Sequence, residues 1–536
     1  MNWRRFSIFC VSFFFPALAL AWGGGHDGVA ELLCEFLPTE IRAGFTPEDL
    51  ALVKEHCHYP DEPYKNLEEI TEIIGPEDAG VLKSFGYSKS GWLHSYRGIS
   101  VSFLLLRKAF HEKNYHNAAF YLSVLSHSVS DQGALNHTPI LHFIINTRFE
   151  GITYGTKRTF DFFLVDGIHS KIQKQLQDWQ PERLGETFTE SVYALVLDNY
   201  SQGEMSSVVE TDISFGTPEQ AEDGMAKLVV SQLKTLLNAT YSAWKFANSE
   251  EELTPAVFAE INHREEARRR QGTPENQAVF RGLFDENLNP AEPKATIGLV
   301  CEPFGSFHRL ALSYVGKMLT ASSGRTLRDH GFAIRPMNLW TLEKTELPDP
   351  KEMPILLLFA GSCDISKEIA DTIRRYSERG GKLLYVAGKD PWNLTGMADL
   401  LVKRANDEVP VSALWAIQNE DVFGAMRITF SPKLPALSAS EHRFRRNPNF
   451  DGFCKPICLF QIRETDAVEP LAWLANGRET FCVSARNGQA VWIPEYLILP
   501  LLFSDETTLR WTDMRLDSFG EKVLLETIPL CLEETP

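Results

Sequence analysis

Near residue 270 the chain changes its rhythm, and no single fold class accommodates both sides of the change. From about residue 26 to 270 the apolar residues recur at helical spacing. "DGVAELLCEFL" follows His26, "HNAAFYLSVLSHSVSD" runs up to Asp131, and "GMAKLVVSQLKTLLNATYSAWKFA" is long and amphipathic. Then "NHREEARRRQGTPENQ" (Asn262–Gln277) is charged and poor in apolar residues, and "DENLNPAEPK" (Asp285–Lys294) is rich in turn formers. Beyond Ala295, "TIGLVCE", "MPILLLFAG" and "GKLLYVAG" are apolar runs of strand length. Between the last two lies "DISKEIADTIRRYSERGG", an amphipathic helix closed by glycines. Such alternation predicts a doubly wound, flavodoxin-like parallel sheet. "PLAWLANGRETFCVSARNGQAVWIPE" adds strand, Asn-Gly turn, strand, turn, strand. The expected chain is multidomain: an all-α domain over 22–275, a linker over 276–294 and an α/β domain over 295–536.

Residues 1–21 have the parts of a secretory signal: Arg4 and Arg5, an apolar run from Phe6 to Leu20, and the A-x-A site Ala19-Leu20-Ala21. Cleavage before Trp22 would make the protein secreted or periplasmic. The formal charge of −18 argues against an electrostatic binder of duplex DNA. It does not argue against bound divalent cations, which dominate their own local field. Eight cysteines remain after the signal, an even number that permits disulfides in an exported chain, with Cys34–Cys57 as one candidate pair. Cys454-x3-Cys458 lacks the matching second pair that a zinc knuckle needs.

The chemistry concentrates in the first half, where ten of the fourteen histidines precede residue 170. The informative unit is "LSHSVSDQGALNH", which reads His127-x3-Asp131-x5-His137. Residues four apart share a helix face, so His127 and Asp131 can grip one cation, and His137 can return after the break at Gln132-Gly133. "DGIHSKIQ" sets His169 and Gln173 four apart, "GWLHSY" offers His94, and "HYPDEPY" offers Asp61. "WGGGH" opens the mature chain. A liberated Trp22 amine and its carbonyl can chelate a metal, and the glycines let His26 reach the same ion. His56 and His58 flank Cys57 without a partner cluster and read as structural or solvent-facing.

The order of these pieces, from Trp22 to about Phe246, resembles the superfamily of bacterial zinc-dependent phospholipases C and fungal three-zinc, single-strand-specific nucleases. "NAAFYLSVLSHSVSD" and "GIHSK" are similar to the phospholipase branch, and "WGGGHDGVAELL" to the nuclease branch. The resemblance implies one zinc on Asp61, His94, His127 and Asp131. It implies a second on the Trp22 amine and carbonyl, His26 and the other oxygen of Asp131, and a third on His137 and His169. The family ends that third site with an acid four residues after the histidine; here Gln173 stands there, with Asp166 and Glu150 as reserve candidates. Asp61 and Asp131 would be the catalytic carboxylates of a phosphodiesterase acting by metal-activated hydroxide. Its expected substrate is a phospholipid headgroup ester, met by transient contact with a membrane surface. The alternatives are a nuclease or 3′-nucleotidase on single strands, and a metal-stabilised binding protein without turnover.

Residues 295–536 resemble the class I glutamine-amidotransferase-like α/β fold, on "ILLLFAGSCDISKEIADTIRRYSERGGKLLYVAG" and "ANGRETFCVSARNGQAVWIP". Active relatives carry a cysteine on the turn after the strand that here is "LLYVAGK". Lys389 falls near that position, and Cys363 follows the preceding strand instead. The resemblance therefore implies a non-catalytic companion domain.

Overall fold

The computed structural model describes residues 23–62, 65–134, 168–215, 217–271, 285–301, 310–361, 366–387, 427–439, 442–443, 469–475, 480–488, 490–494, 498, 500–501, 515–516 and 518–533. The expected signal segment, Trp22, His137, Cys363 and Lys389 lie outside these residues, as do Glu150 and Asp166.

Up to residue 271 every regular element described is helical. The longer ones are α1 (Gly23–Phe36), α2 (Pro47–Glu55), α3 (Leu67–Ser84), α4 (Tyr96–Glu112), α5 (Tyr115–Gln132), α6 (Ile168–Leu176), α7 (Phe188–Phe215), α8 (Pro218–Lys245) and α9 (Pro255–Gln271). Side-chain caps set several starts. Thr46 caps α2, Asn66 caps α3, Ser95 caps α4, Asn114 caps α5 and Thr217 caps α8, each accepting from a backbone N–H of the first turn. One continuous apolar core runs from Val29 to Ile261.

Helix α5 lies at the centre of that core and is buried nearly all round from Asn117 to Ser130. Such a helix is normally apolar throughout, yet this one carries four buried serines. Three of them satisfy themselves locally: Ser123 donates to the Phe120 carbonyl, Ser128 to Val124 and Ser130 to Ser126, at 2.6, 2.9 and 2.7 Å. Small side chains that bond their own helix let neighbouring helices approach closely.

From Thr296 onward the architecture is α/β. Strands β1 (Thr296–Cys301), β2 (Ala333–Asn338), β3 (Ile355–Gly361), β4 (Lys382–Ala387), β5 (Arg427–Phe430), β6 (His442–Arg443), β7 (Glu469–Ala475), β8 (Thr480–Asn487) and β9 (Ala490–Pro494) form one sheet, in the order β2-β1-β3-β4-β9-β8-β7-β5-β6. The first five in that order pair in parallel, which is the expected doubly wound part. The meander from β5 to β9 adds an antiparallel half, so the sheet is mixed. Gly488, at φ 56°, supports the turn between β8 and β9. Alternate residues of the parallel strands enter opposite layers. Ile297, Leu299, Ile355, Leu357 and Leu384 pack with the C-terminal helix α12 (Ser518–Leu532), whereas Val300, Leu356, Leu358 and Leu383 pack with α11 (Lys367–Glu378). Helix α10 (Leu310–Asp329) contributes Leu327 to the first layer. Both faces are covered, which explains why these strands read as unbroken apolar runs. Among the described residues, no helix is long and apolar enough to cross a membrane.

Candidate metal centre

Two short 3₁₀ turns and two helices bring the predicted ligands together. Asp61 ends the turn Tyr59–Asp61, which Pro60 pre-shapes; His94 ends the turn Ser90–His94. The two turns are joined where Ser90 donates its backbone N–H to the Lys65 carbonyl at 2.9 Å and its hydroxyl to the Glu62 carbonyl. Ser95 then caps α4 and accepts from the Gly98 N–H at 2.9 Å. Gly98 is required at this crossing, because a Cβ there would meet the Trp92 carbonyl oxygen at 2.5 Å and Leu93 Cα at 2.6 Å. The second turn thus lies directly on the first turn of α4, and this fixes His94.

At the centre, His94 Nε2 and His127 Nε2 are 2.9 Å apart, and Asp61 Oδ1 lies 3.2 Å from the first and 3.4 Å from the second. Ligands of a tetrahedral zinc at ordinary bond lengths sit about 3.3 Å from one another. The three atoms therefore have the mutual spacing of atoms that share one cation. Asp131 Oδ1 is 4.0 Å from His26 Nε2, and Asp131 also groups with His94 and His127 within ligand range. The His26 ring lies over His127 with centroids 4.3 Å apart. With neutral imidazoles, the two carboxylates give the cluster a charge that divalent cations would neutralise.

The ring nitrogens are assigned by their outer partners. The Ser130 hydroxyl hydrogen points to the Ser126 carbonyl, so Ser130 Oγ accepts from His26 Nδ1–H at 2.6 Å. His94 Nδ1 donates to the Gly91 carbonyl at 3.3 Å. Both bonds turn Nε2 towards the cluster, the orientation that metal-ligating histidines require. Complete burial, reinforced by neighbouring His127, pushes the His26 pKa well down and keeps that ring neutral. For His94, burial acts downward, but the bond to Asp61 and the charges of Asp131 and Asp61 overcome it and raise its pKa. Burial of Asp61 is outweighed by hydrogen bonds from His127 and His94, which hold its carboxyl far below the usual range. A proton on His94 is what offsets the Asp61 carboxylate.

Access is graded. The His127 and His26 side chains are fully buried, while Asp131, His94 and Asp61 are 13%, 20% and 26% exposed. Solvent therefore reaches the cluster from the Asp61–His94 side. Asp61 Oδ2 and His127 Nδ1 are buried without a hydrogen-bond partner among the described residues. An unpaired buried carboxylate oxygen beside converging imidazoles is a donor set awaiting a cation or an ordered water.

His169 and Gln173 are placed elsewhere. His169 Nε2 bonds Glu35 Oε2 at 3.0 Å and Gln173 Nε2 donates to Glu35 Oε1 at 3.1 Å, all three exposed. Glu35 is nine residues beyond His26 on α1, roughly 13 Å along the helix. Among the described residues, no metal-capable group includes His169. The expected Cys34–Cys57 disulfide is not formed; both are free thiols. Cys34 faces the Leu50 carbonyl, whereas Cys57 faces Asp27, seven residues earlier on α1 than Cys34. Two helical turns, roughly 10 Å, separate those two points, beyond the reach of an S–S bridge.

Sequence reasoning missed Ser130, Gly91 and Glu35. It also missed that Cys57 and His58 meet Asp27; the adjacency of Asp27 to His26, and of "CH" to Asp61, was the available signal. No family model matches the chain, and neither a curated protein nor a solved structure matches it.

Proposed function

We propose that this is an exported, zinc-dependent phosphodiesterase, acting on phospholipid headgroup esters in the manner of a phospholipase C. The supporting observation is the convergence of Asp61, His94 and His127 at 2.9–3.4 Å, with Asp131 and His26 alongside. Asp61, His94, His127 and Asp131 would hold one ion, and His26, Asp131 and the Trp22 amine and carbonyl a second. When bound, the ions supply Lewis acidity for phosphoryl oxygens and lower the pKa of water. Asp61 Oδ2, buried without a hydrogen-bond partner among the described residues, would accept from a water and orient it. Asp131, near both His94/His127 and His26, would contribute a carboxylate to each ion. His26 and His94 keep their lone pairs on the site because Ser130 and Gly91 occupy their Nδ1–H groups. The fully buried His127 forms the dry floor, so the ester enters from the Asp61–His94 side. The third ion of the resemblance has His169 and Gln173 on Glu35, so this reading rests on the two-ion part. The α/β half is read as a non-catalytic companion of the amidotransferase-like type.

The test is hydrolysis by the correctly processed protein with zinc, offered phosphatidylcholine vesicles and single-stranded DNA separately. Phosphocholine release is expected, falling at least about 100-fold in His127→Ala, in line with loss of a metal-activated nucleophile. Cleavage of DNA alone would refute the lipid assignment, and hydrolysis of neither would refute the phosphodiesterase.

A further inference from the structure

A second group of soft and hard ligands shares a wall with the central cluster. Asp27 follows His26 on the first turns of α1, and Cys57-His58 sits between α2 and the turn that carries Asp61. Asp27 Oδ1 accepts from His58 Nε2 at 3.0 Å and from the Cys57 thiol at 3.4 Å. The His58 ring stands edge-on to His26, with centroids 5.6 Å apart. Cys57 is fully buried, while the Asp27 and His58 side chains are 41% and 36% exposed, so the group has a solvent-facing mouth and a buried sulfur base.

The geometry excludes a cysteine nucleophile. A catalytic imidazole must take the thiol proton, but here thiol and imidazole both donate to the same carboxylate oxygen, so His58 does not serve the sulfur as a base. Burial and the neighbouring Asp27 charge push the Cys57 thiol up, which is also contrary to that role. One sulfur, one imidazole nitrogen and one carboxylate oxygen within ligand range of each other are instead a borderline-soft donor set of the kind zinc and cobalt prefer.

We propose that Asp27, Cys57 and His58 form a second divalent-metal site, thiolate-bearing and distinct from the ester-hydrolysing cluster. It stands whether or not the central cluster turns over phosphate esters. Loading releases one proton, from the Cys57 sulfur to solvent. The His58 hydrogen moves from Nε2 to the partly exposed Nδ1 side, freeing Nε2 to ligate, and Asp27 exchanges two accepted hydrogen bonds for the cation. Three protein ligands leave a further coordination position open. Because these residues belong to the segments that carry His26 and Asp61, an ion here ties α1 to the Asp61 turn.

Cobalt(II) loading of the metal-stripped, correctly processed protein tests this, because thiolate ligation produces a sulfur-to-cobalt charge-transfer band in the near ultraviolet. The band is expected in the native protein and in His127→Ala, which empties only the central cluster. It is expected to vanish in Cys57→Ser, while the visible cobalt bands of the central cluster persist. His58→Gln, which leaves the buried sulfur in place, should weaken the thiolate-linked cobalt affinity at least about tenfold. A native protein without the band, a band that survives Cys57→Ser, or a band lost with His127→Ala would each overturn the proposal.

Discussion

The pairing of His127 with Asp131 is the clearest part of the site in sequence, because four-residue spacing on a helix is a local fact. The side chains around that pair are set by packing, and spacing does not report them. Ser130 is an unremarkable serine in the chain, yet its hydroxyl is committed to the Ser126 carbonyl and therefore dictates the His26 tautomer. Removing it with Ser130→Ala should leave the helix intact and cost zinc affinity 10–100-fold, the usual range for an outer partner of a ligating histidine. Equilibrium dialysis against zinc, with circular dichroism as the folding check, reads this directly; unchanged affinity would show that His26 does not ligate through Nε2. Gln173 illustrates the opposite case. Its position relative to His169 resembled a ligand pair, but Glu35, 138 residues earlier, engages both.

At the level of elements, apolar periodicity located α1, α5, α8 and α11, and the apolar runs located β1, β3 and β4. The turn before β9 was also legible, whereas the Asn-Gly turn expected before β8 lies outside the described residues. Strand order was not: β9 pairs in parallel with β4 across more than a hundred residues of chain, a choice made by burial and not by any local pattern. The placement of His94 depends instead on a close local contact, of Gly98 with Trp92 and Leu93, that periodicity does not report. Two glycine substitutions separate backbone crowding from side-chain crowding. Gly98→Ala drives a Cβ into the backbone of Trp92 and Leu93, whereas Gly298→Ala in β1 meets the flexible ends of Met337 and Met353 at 2.6 Å each. Overpacking against backbone should cost about 1–3 kcal/mol, and against yielding methionines less than about 1.5 kcal/mol. Denaturant titration should rank them so, with zinc affinity falling only in Gly98→Ala.

On the scale of the whole molecule, the helical half and the sheet half have separate apolar cores, with Val29–Ile261 in one and residues from Ile297 onward in the others. Among the described residues, the groups able to hold a metal lie in the first. Differential scanning calorimetry should therefore resolve two transitions, of which zinc removal lowers one by several degrees, since only native-state ligands shift a transition. A chelator that moves both equally would mean that the halves unfold as one unit. The change of rhythm near residue 270 was enough to anticipate two cores, because each kind of periodicity demands its own kind of layer. The borders of the sheet carry a last implication. Pro336 breaks the row of donors in β2 at one flank, and at the other flank the described part of β6 is His442–Arg443. A neighbouring molecule sliding alongside would find too few open amides to zip onto. Interrupted edges of this kind offer a poor template for adding a strand from another molecule.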